Sequence, residues 1–460
     1  MTAPVTAQTA RAMTTPVTER IERRMPATAL VVVGVIAIVA ADRLPGTQGV
    51  VLLRALGAVL VLGLIVGARG WLRARNGQLA LGLVAATAIV GARCGVAPWT
   101  ILDGAAAMIP AAVLLVTTSI VRPAFSSCGL DNYLAETIAR LPARLRSLCI
   151  DGLGTVTGLA AGFGSIAMLG SSLGARATPA AAAANAAMRG LSMSMLLGPS
   201  IASVAVVRTT LPAIPWLASV VTALPLLAAS FTINAVLTPA IRLRRVGDTG
   251  PMPPHRLALP MLAAVPAIAF AATALIGLGA TEAITLAFLA TGLLLDFLHR
   301  EAGTLAVLDH QIGDGWQRSQ AEIALFLASG AIASLLHDPT VAALVHPAAV
   351  LVPSGALGIL GLLVAVPAIC VVGLHPMPLF AMLAPLIPAA HLGLNAIGLY
   401  QVWIVTIGIS LLLSPASILT SITRASFGLP PDQIGLRRNL AYAALVAVAA
   451  LLLIPAINPA

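Results

Sequence analysis

The amino-acid sequence predicts an all-α polytopic membrane protein, with about eleven transmembrane helices and two opposed re-entrant hairpins arranged as two inverted-topology repeats. Three observations predict it. Hydrophobic residues make up 59% of the chain, charged residues 9%, and mean hydropathy is +1.00, which leaves too little polar surface to cover a water-soluble fold. Ser-Met-Leu-Leu-Gly-Pro-Ser at 194–200 returns as Ser-Leu-Leu-Leu-Ser-Pro-Ala at 410–416. The offset, 410 minus 194, is 216, and it also pairs Arg208 with Arg424 and Pro215 with Pro431. Six of 22 positions then agree, where composition alone gives roughly two. Finally, the apolar stretches 150–174 and 355–390 are split by Gly-Phe-Gly-Ser and His-Pro-Met-Pro, and neither reads as a plain span. Ala167-Met168-Leu169 echoes Ala381-Met382-Leu383 at nearly the same offset, so each half carries the same two elements in the same order.

Residues 1–25 are rich in Thr, Ala and Pro and carry Arg20, Arg23 and Arg24. They read as a disordered cytoplasmic tail before an extra first helix in 26–49, uncleaved rather than a signal peptide, because the remaining topology closes with this end inside. Repeat one spans 50–238. It has crossings at 50–68, 78–95 and 102–121, a hairpin at 150–174, an interrupted helix at 191–211 and a closing helix at 213–238. Leu130 to Leu148 places apolar residues at helical spacing beside Arg140, Arg144 and Arg146, the pattern of a helix lying on the inner membrane surface. A cytoplasmic linker, 239–256, follows, marked by Gly247, Gly250 and three prolines. Repeat two spans 257–460. Its crossings are 257–277, 281–298 and 319–337, its hairpin 355–390, its interrupted helix 404–424 and its closing helix 437–457.

All 26 basic residues are arginine, the usage of a GC-rich bacterial genome, which implies the bacterial inner membrane. With the N-terminus cytoplasmic, inside segments collect about 22 of the 26 arginines. The first hairpin then enters from the cytoplasm and the second from outside, so the halves are inverted. The net charge of +10 is topology charge, since no aromatic or basic stripe marks a nucleic-acid surface. Cys94, Cys128, Cys149 and Cys370 lack the spacing of a disulfide frame or a zinc site. No Walker-type loop exists, and no lysine to fill one. No cofactor is expected.

An interrupted helix offers free amides at one half-helix start and free carbonyls at the other half's end; amides attract anions and carbonyls cations. Gly198-Pro199 and Ser414-Pro415 are the expected break points. Ser194, Ser200, Ser410, Ser414 and Ser417 supply short hydroxyls, either to hold a ligand or to repair the freed backbone; a Pro-kinked helix with packing serines is the competing reading. Gly164 and Ser165 mark the first hairpin tip, His375 and Pro376 the second. His375 is the ionisable side chain at the tips, suited to accept a proton or to hydrogen-bond a carboxylate. Glu282, Asp296, Glu322 and Asp338 fall near predicted helix ends and Asp103 at the edge of its span, so no carboxylate is expected at the centre. Neutral hydroxyls with oriented amides suit an anionic solute. Arg208 and Arg424 read as interface anchors.

The layout resembles the ion transporter superfamily, in particular divalent anion:sodium symporters with their arsenite-pump-like and citrate relatives. Ser414-Pro415 and Gly198-Pro199 look like that group's unwound-helix breaks, whereas Gly-Phe-Gly-Ser and His-Pro-Met-Pro stand where the symporters carry Ser-Asn-Thr. The resemblance implies a secondary transporter working by an elevator-type motion, and a homodimer. The resulting expectation is transport of a small anionic solute, an organic acid, coupled to sodium or a proton, with membrane lipid and that anion as partners. Two alternatives remain: a cation/proton antiporter on the same scaffold, and an intramembrane enzyme using His299, His310, His337, His346 or Asp338 on a lipid-linked substrate.

Overall fold

The computed structural model describes residues 27–44, 47–66, 68–127, 130–211, 214–243, 258–298, 304–349 and 352–460. The tail 1–25, most of the 239–256 linker and His299 lie outside them. The chain is a multi-pass all-α membrane protein. Among the described residues, seven helical segments are long and apolar enough to cross a bilayer: Arg75–Cys94, Pro98–Thr118, Trp216–Leu237, Ser319–His337, Gly355–Val372, Ala396–Leu413 and Pro431–Ile457.

The helices run α1 Ala27–Arg43, α2 Thr47–Val66, α3 Ala68–Trp71, α4 Arg75–Cys94, α5 Pro98–Ala107, α6 Ile109–Ser127 and α7 Leu130–Arg140. Two helices joined at a tight turn follow, α8 Ala143–Ala161 and α9 Gly164–Leu173. Then come α10 Ala180–Ser194 and α11 Ala202–Thr210, which form the first interrupted helix, and α12 Trp216–Leu237. The second half repeats this order: α13 Ala258–Ala271, α14 Ala280–Leu298, α15 Thr304–His337, α16 Pro339–Ala349, the hairpin of α17 Gly355–Val372 and α18 Pro376–Leu383, the interrupted helix of α19 Ala396–Leu413 and α20 Ile418–Phe427, and α21 Leu436–Ile457.

The stretches 150–174 and 355–390 each contain a helix–turn–helix pair, and the two segments expected to be interrupted are broken helices; Gly355–Val372, expected as an arm that does not cross, is itself long and apolar enough to span a bilayer. The interrupted helices begin at Ala180 and Ala396 rather than 191 and 404; in the first, the alanine-rich run 180–187 is a strong helix former that hydropathy alone undervalues. The single surface helix expected over 130–148 is two elements. Pro142, which has no amide to donate, ends α7, and the chain re-enters as α8. Arg146 completes the corner by donating to the carbonyls of Ala139, Leu141 and Ile241 at 2.9, 2.9 and 3.1 Å. The short helix α16, expected as loop, occupies the place in repeat two that α7 holds in repeat one.

Ser192 and Gly408, 216 residues apart, meet where α10 and α19 cross: a Cβ on Gly408 would sit 3.3 Å from the Ser192 carbonyl oxygen. The same register is written in hydrogen bonds. Asn439 Nδ2 on α21 donates to Asn185 Oδ1 on α10 at 2.8 Å, and Gln401 Nε2 on α19 donates to Thr222 Oγ1 on α12 at 2.8 Å; Gln401 is the image of Asn185. Each interrupted helix is therefore bonded to the closing helix of the opposite half. The hairpins interlock likewise, α9 packing on α20 and α18 on α11.

Contact between α9 and α20 requires glycine. A Cβ at Gly170 would overlap the Cβ of Ser426. Gly170→Val is expected to destabilise by about 1–3 kcal/mol through overpacking, while Gly82→Ala, with nothing within 4 Å of the added carbon, leaves the unfolding midpoint in detergent unchanged. Thermal unfolding of the two variants checks this.

Candidate functional site

At the first hairpin tip the chain turns through Gly162, which has φ 52, a left-handed conformation that a side chain opposes. A Cβ there would also lie 2.7 Å from the carbonyl oxygen of Ser200. The tip thus rests on the first break. Ser200 Oγ donates to the Gly158 carbonyl at 3.0 Å, and Ser194 Oγ turns back to Leu191 at 2.7 Å. Both hydroxyls are committed to backbone. Ser165 Oγ, beside Gly164, is fully buried with no hydrogen-bond partner, which leaves it available to a ligand. Across the first break, Trp216 Nε1 donates to the Leu197 carbonyl at 2.7 Å. Its ring lies against Gly198, where a Cβ would approach it to 3.3 Å. Gly198, Pro199 and Ser200 are consequently buried.

The second break runs from Ser414 to Ser417 and is repaired by hydroxyls. Ser417 caps α20, accepting from the Thr420 amide at 3.0 Å and donating to the Leu411 carbonyl at 2.7 Å. Thr420 Oγ1 donates to the Ser414 carbonyl at 3.0 Å. Ser414 Oγ accepts from the Ala416 amide at 3.3 Å, and Ser410 Oγ bonds back to Thr406 at 2.7 Å. Nothing like Trp216 covers this break. Pro415 is exposed on a cavity of ≈390 Å³ lined by Val371, Leu413, Pro415, Thr420, Arg424 and Arg437, with Asp432 at its edge. Val371 belongs to the second hairpin, so tip and break meet in this half too.

The second tip is built differently from the first. His375 is buried and caps α18, its Nδ1 accepting from the Met377 amide at 3.2 Å, with Pro376 as first helical residue. One ring nitrogen is thereby committed to backbone. Arg75, at the start of α4, donates from Nη2 to the Val372 carbonyl at 3.2 Å, which sets this tip level with the end of α4 rather than half-way through the helix layer.

Arg208 and Arg424 are images of one another in unlike surroundings. Arg208 Nη2 donates to the Ile214 carbonyl at 2.7 Å, and its guanidinium lies 5.7 Å from the centre of the Tyr400 ring. Arg424 instead is exposed and lines the cavity. The repeat register that paired the two arginines was the available signal; which of them is open is a property of conformation. Thr420 was overlooked although Ser417-x-x-Thr is a recognisable helix start. Asp151 was overlooked as well. It is fully buried in the middle of α8, so the expectation of no central carboxylate is overturned; its place near the start of the 150–174 stretch made it look like a polar flank. His337 and Asp338 serve local structure: His337 Nδ1 meets the Ala333 carbonyl at 2.7 Å and Asp338 accepts from the Thr340 amide at 2.9 Å.

Two broken helices, each beside a helix–turn–helix tip, sit within a multi-pass all-α membrane protein. No family profile and no curated protein matches the sequence. Among solved structures the chain is similar to the Alcanivorax borkumensis YdaH transporter, at 15% identity over 94% of this chain and 98% of that one, with a TM-score of 0.53. This likeness is one of fold. The chain is also similar to Neisseria gonorrhoeae MtrF, of a class of antimetabolite efflux pumps, at 11% identity over 94% and 95% of the two chains, with a TM-score of 0.47.

The two kinds of serine separate by stability. Ser417→Ala is expected to cost about 1 kcal/mol as a lost helix cap, whereas Ser165→Ala, which breaks no bond, leaves stability within about 0.5 kcal/mol. Thermal unfolding of both variants in detergent measures the difference.

Proposed function

We propose that this chain is a secondary active transporter of a small anionic solute, an organic acid, coupled to sodium or a proton and working by alternating access of elevator type. The observation that carries the reading is the cavity at the second break. Its volume, ≈390 Å³, is within the range of small-molecule sites. It brings two guanidiniums, Arg424 and Arg437, to an unwound backbone segment at a hairpin tip, and guanidinium is the side chain best matched to a carboxylate. The likeness in fold to the YdaH transporter agrees with a transport role.

Alternating access requires two states of similar energy, and an inverted repeat supplies them, since each state is the other with the halves exchanged. The present asymmetry has that form. Break one is shut under Trp216 and Arg208; break two is open at Arg424. With the N-terminus cytoplasmic, the open end faces inward. Hairpins and interrupted helices interlock as one unit, which is the body an elevator motion would carry, and the resemblance to divalent anion symporters concerns the same unit. Localisation in a bacterial inner membrane follows from the arginine distribution, and a homodimer from the resemblance.

Purified protein screened by thermal shift against succinate, glutamate and benzoate, with and without sodium, tests the reading. A bound anion at a hundredfold excess over its Kd is expected to stabilise by about 2.7 kcal/mol. Arg424→Ala abolishes that shift, and His337→Ala retains it. No shift with any organic anion, or a shift indifferent to Arg424, would refute the assignment. Trp216→Ala is expected to make a cysteine placed at Ser200 reactive to a membrane-impermeant maleimide, while the same cysteine stays protected when Trp216 is intact.

A further inference from the structure

Asp151 is surrounded by one of two matching polar networks, and the comparison between them isolates what is unusual about it. In repeat two, Gln401 on α19 donates to the Ser219 carbonyl at 3.3 Å and to Thr222 Oγ1 at 2.8 Å, and accepts from Asn458 Nδ2 at 3.0 Å. Every member is neutral, and this network suffices to tie the interrupted helix to the opposite closing helix. In repeat one the Asn185–Asn439 bond does the same structural work, yet an arginine and an aspartate have been added. Arg189 stands where its image is Val405. It donates from Nε to Asn439 Oδ1 at 2.9 Å, from Nη1 to Asn234 Oδ1 at 2.8 Å and Thr238 Oγ1 at 2.9 Å, and from Nη2 to the Arg438 carbonyl at 2.8 Å, with its guanidinium 4.8 Å from the centre of the Tyr442 ring.

Those donors all go to neutral acceptors. Both carboxylate oxygens of Asp151 are buried without a hydrogen-bond partner, as is Asn234 Nδ2. The ionisable groups acting on Asp151 are Arg189 from α10 and Tyr442 from α21; α12 contributes the amide of Asn234, and α13, which also packs on α8, carries no ionisable residue. A sodium ion would need several oxygen ligands, but Arg189 and the Asn234 amide present N–H donors and the Tyr442 hydroxyl is paired with Ser230 at 2.8 Å. A proton needs a single oxygen.

We propose that Asp151 is a proton-binding site on the first hairpin and that the proton is the coupling ion of the transport cycle, the second clause resting on the transporter reading above. The carboxylate takes up one proton from water on one face and returns it on the other; no other bond changes. Charge accounting ties that proton to the anion. With Asp151 ionised, the pair with Arg189 is neutral; with Asp151 protonated, Arg189 is left uncompensated. Arg189 Nη2 bonds to the carbonyl of Arg438 at 2.8 Å, the residue next to Arg437 in the lining of the cavity at the second break. An anion is therefore held more tightly when the proton is bound, and by linkage the proton more tightly when the anion is bound. This predicts symport.

Infrared difference spectra of the full-length protein between acid and alkaline buffer provide the first test. The carbonyl band of a protonated carboxylic acid is expected in the wild type, displaced by ¹³C-aspartate labelling and absent in Asp151→Asn. Asp151→Glu keeps a band, displaced in frequency, and the labelled wild type serves should Asp151→Asn fail to fold. No label-sensitive band that changes with pH, or one that Asp151→Asn leaves in place, overturns the proton site. The second test uses proteoliposomes and radiolabelled succinate, glutamate and benzoate under an imposed pH gradient. The wild type accumulates an anion, and Asp151→Asn loses accumulation while retaining equilibrium exchange. Accumulation that survives in Asp151→Asn overturns the coupling. An intact band with no exchange of any anion counts against the transporter reading and leaves the proton site standing.

Discussion

A chain that breaks its helices within an apolar layer must find partners for the peptide groups it frees, and much of this structure answers that requirement. At the second break the answer is local: Ser417 and Thr420 return hydrogen bonds to Leu411 and Ser414. At the first it is tertiary, because Ser200 bonds to Gly158 of the hairpin and Trp216 reaches the Leu197 carbonyl. The hairpin can approach that closely because its crossing residues are small. A Cβ at Gly154 would stand 2.7 Å from the Ala187 carbonyl oxygen, and one at Gly158 2.6 Å from Ser194 Oγ. Glycine in α8 sacrifices helix propensity and gains an arm that can lie on a broken neighbour.

The same requirement explains how symmetric halves come to have unequal ends. Each break needs its carbonyls satisfied, but the partner can be a side chain of the next helix, as with Trp216, or the break's own hydroxyls, as with Ser417. The first solution fills the space beside the break and the second leaves it empty. Pro199 is buried and Pro415 exposed for this reason. Because the Trp216 bond joins a side chain to a backbone carbonyl, it can open without unravelling α10 or α11.

Much of this arrangement is legible in the sequence, and the limits of that legibility have physical causes. Pro199 and Pro415 are readable because proline lacks a donor wherever it stands, and the 216-residue offset then aligns two segments that composition alone would not relate. Gly-Phe-Gly-Ser reads as a turn because Gly162 adopts a conformation few other residues tolerate. The helix start at Ala180 was placed too late because alanine is weakly hydrophobic yet strongly helical, and the start at Ala396 because Gly398, Tyr400 and Gln401 dilute the hydropathy of its first turns. Asp151 was invisible for a different reason. Sequence reports the presence of an acid, whereas its burial depends on α10, α12 and α21 closing around it, from Arg189, 38 residues away, to Tyr442, 291 residues away. The division of labour among serines has the same origin, since hydroxyls at 165, 194 and 200 are chemically alike and differ only in which carbonyl stands opposite.

Charge placement supplies the last step. Arg54 and Asp103 on α2 and α5 form a bidentate pair at 2.5 and 2.8 Å, with 46% and 36% of their side chains exposed, so neither faces a low-dielectric surface alone. Asp151 and Arg189 are the buried counterpart, opposite charges enclosed within one network. The cavity at break two departs from this economy, for Arg424 and Arg437 face Asp432 and leave one positive charge over. Uncompensated charge beside an unwound helix in an apolar layer is costly unless a mobile counter-charge visits it. On the transporter reading proposed above, that counter-charge is an anion small enough for the cavity.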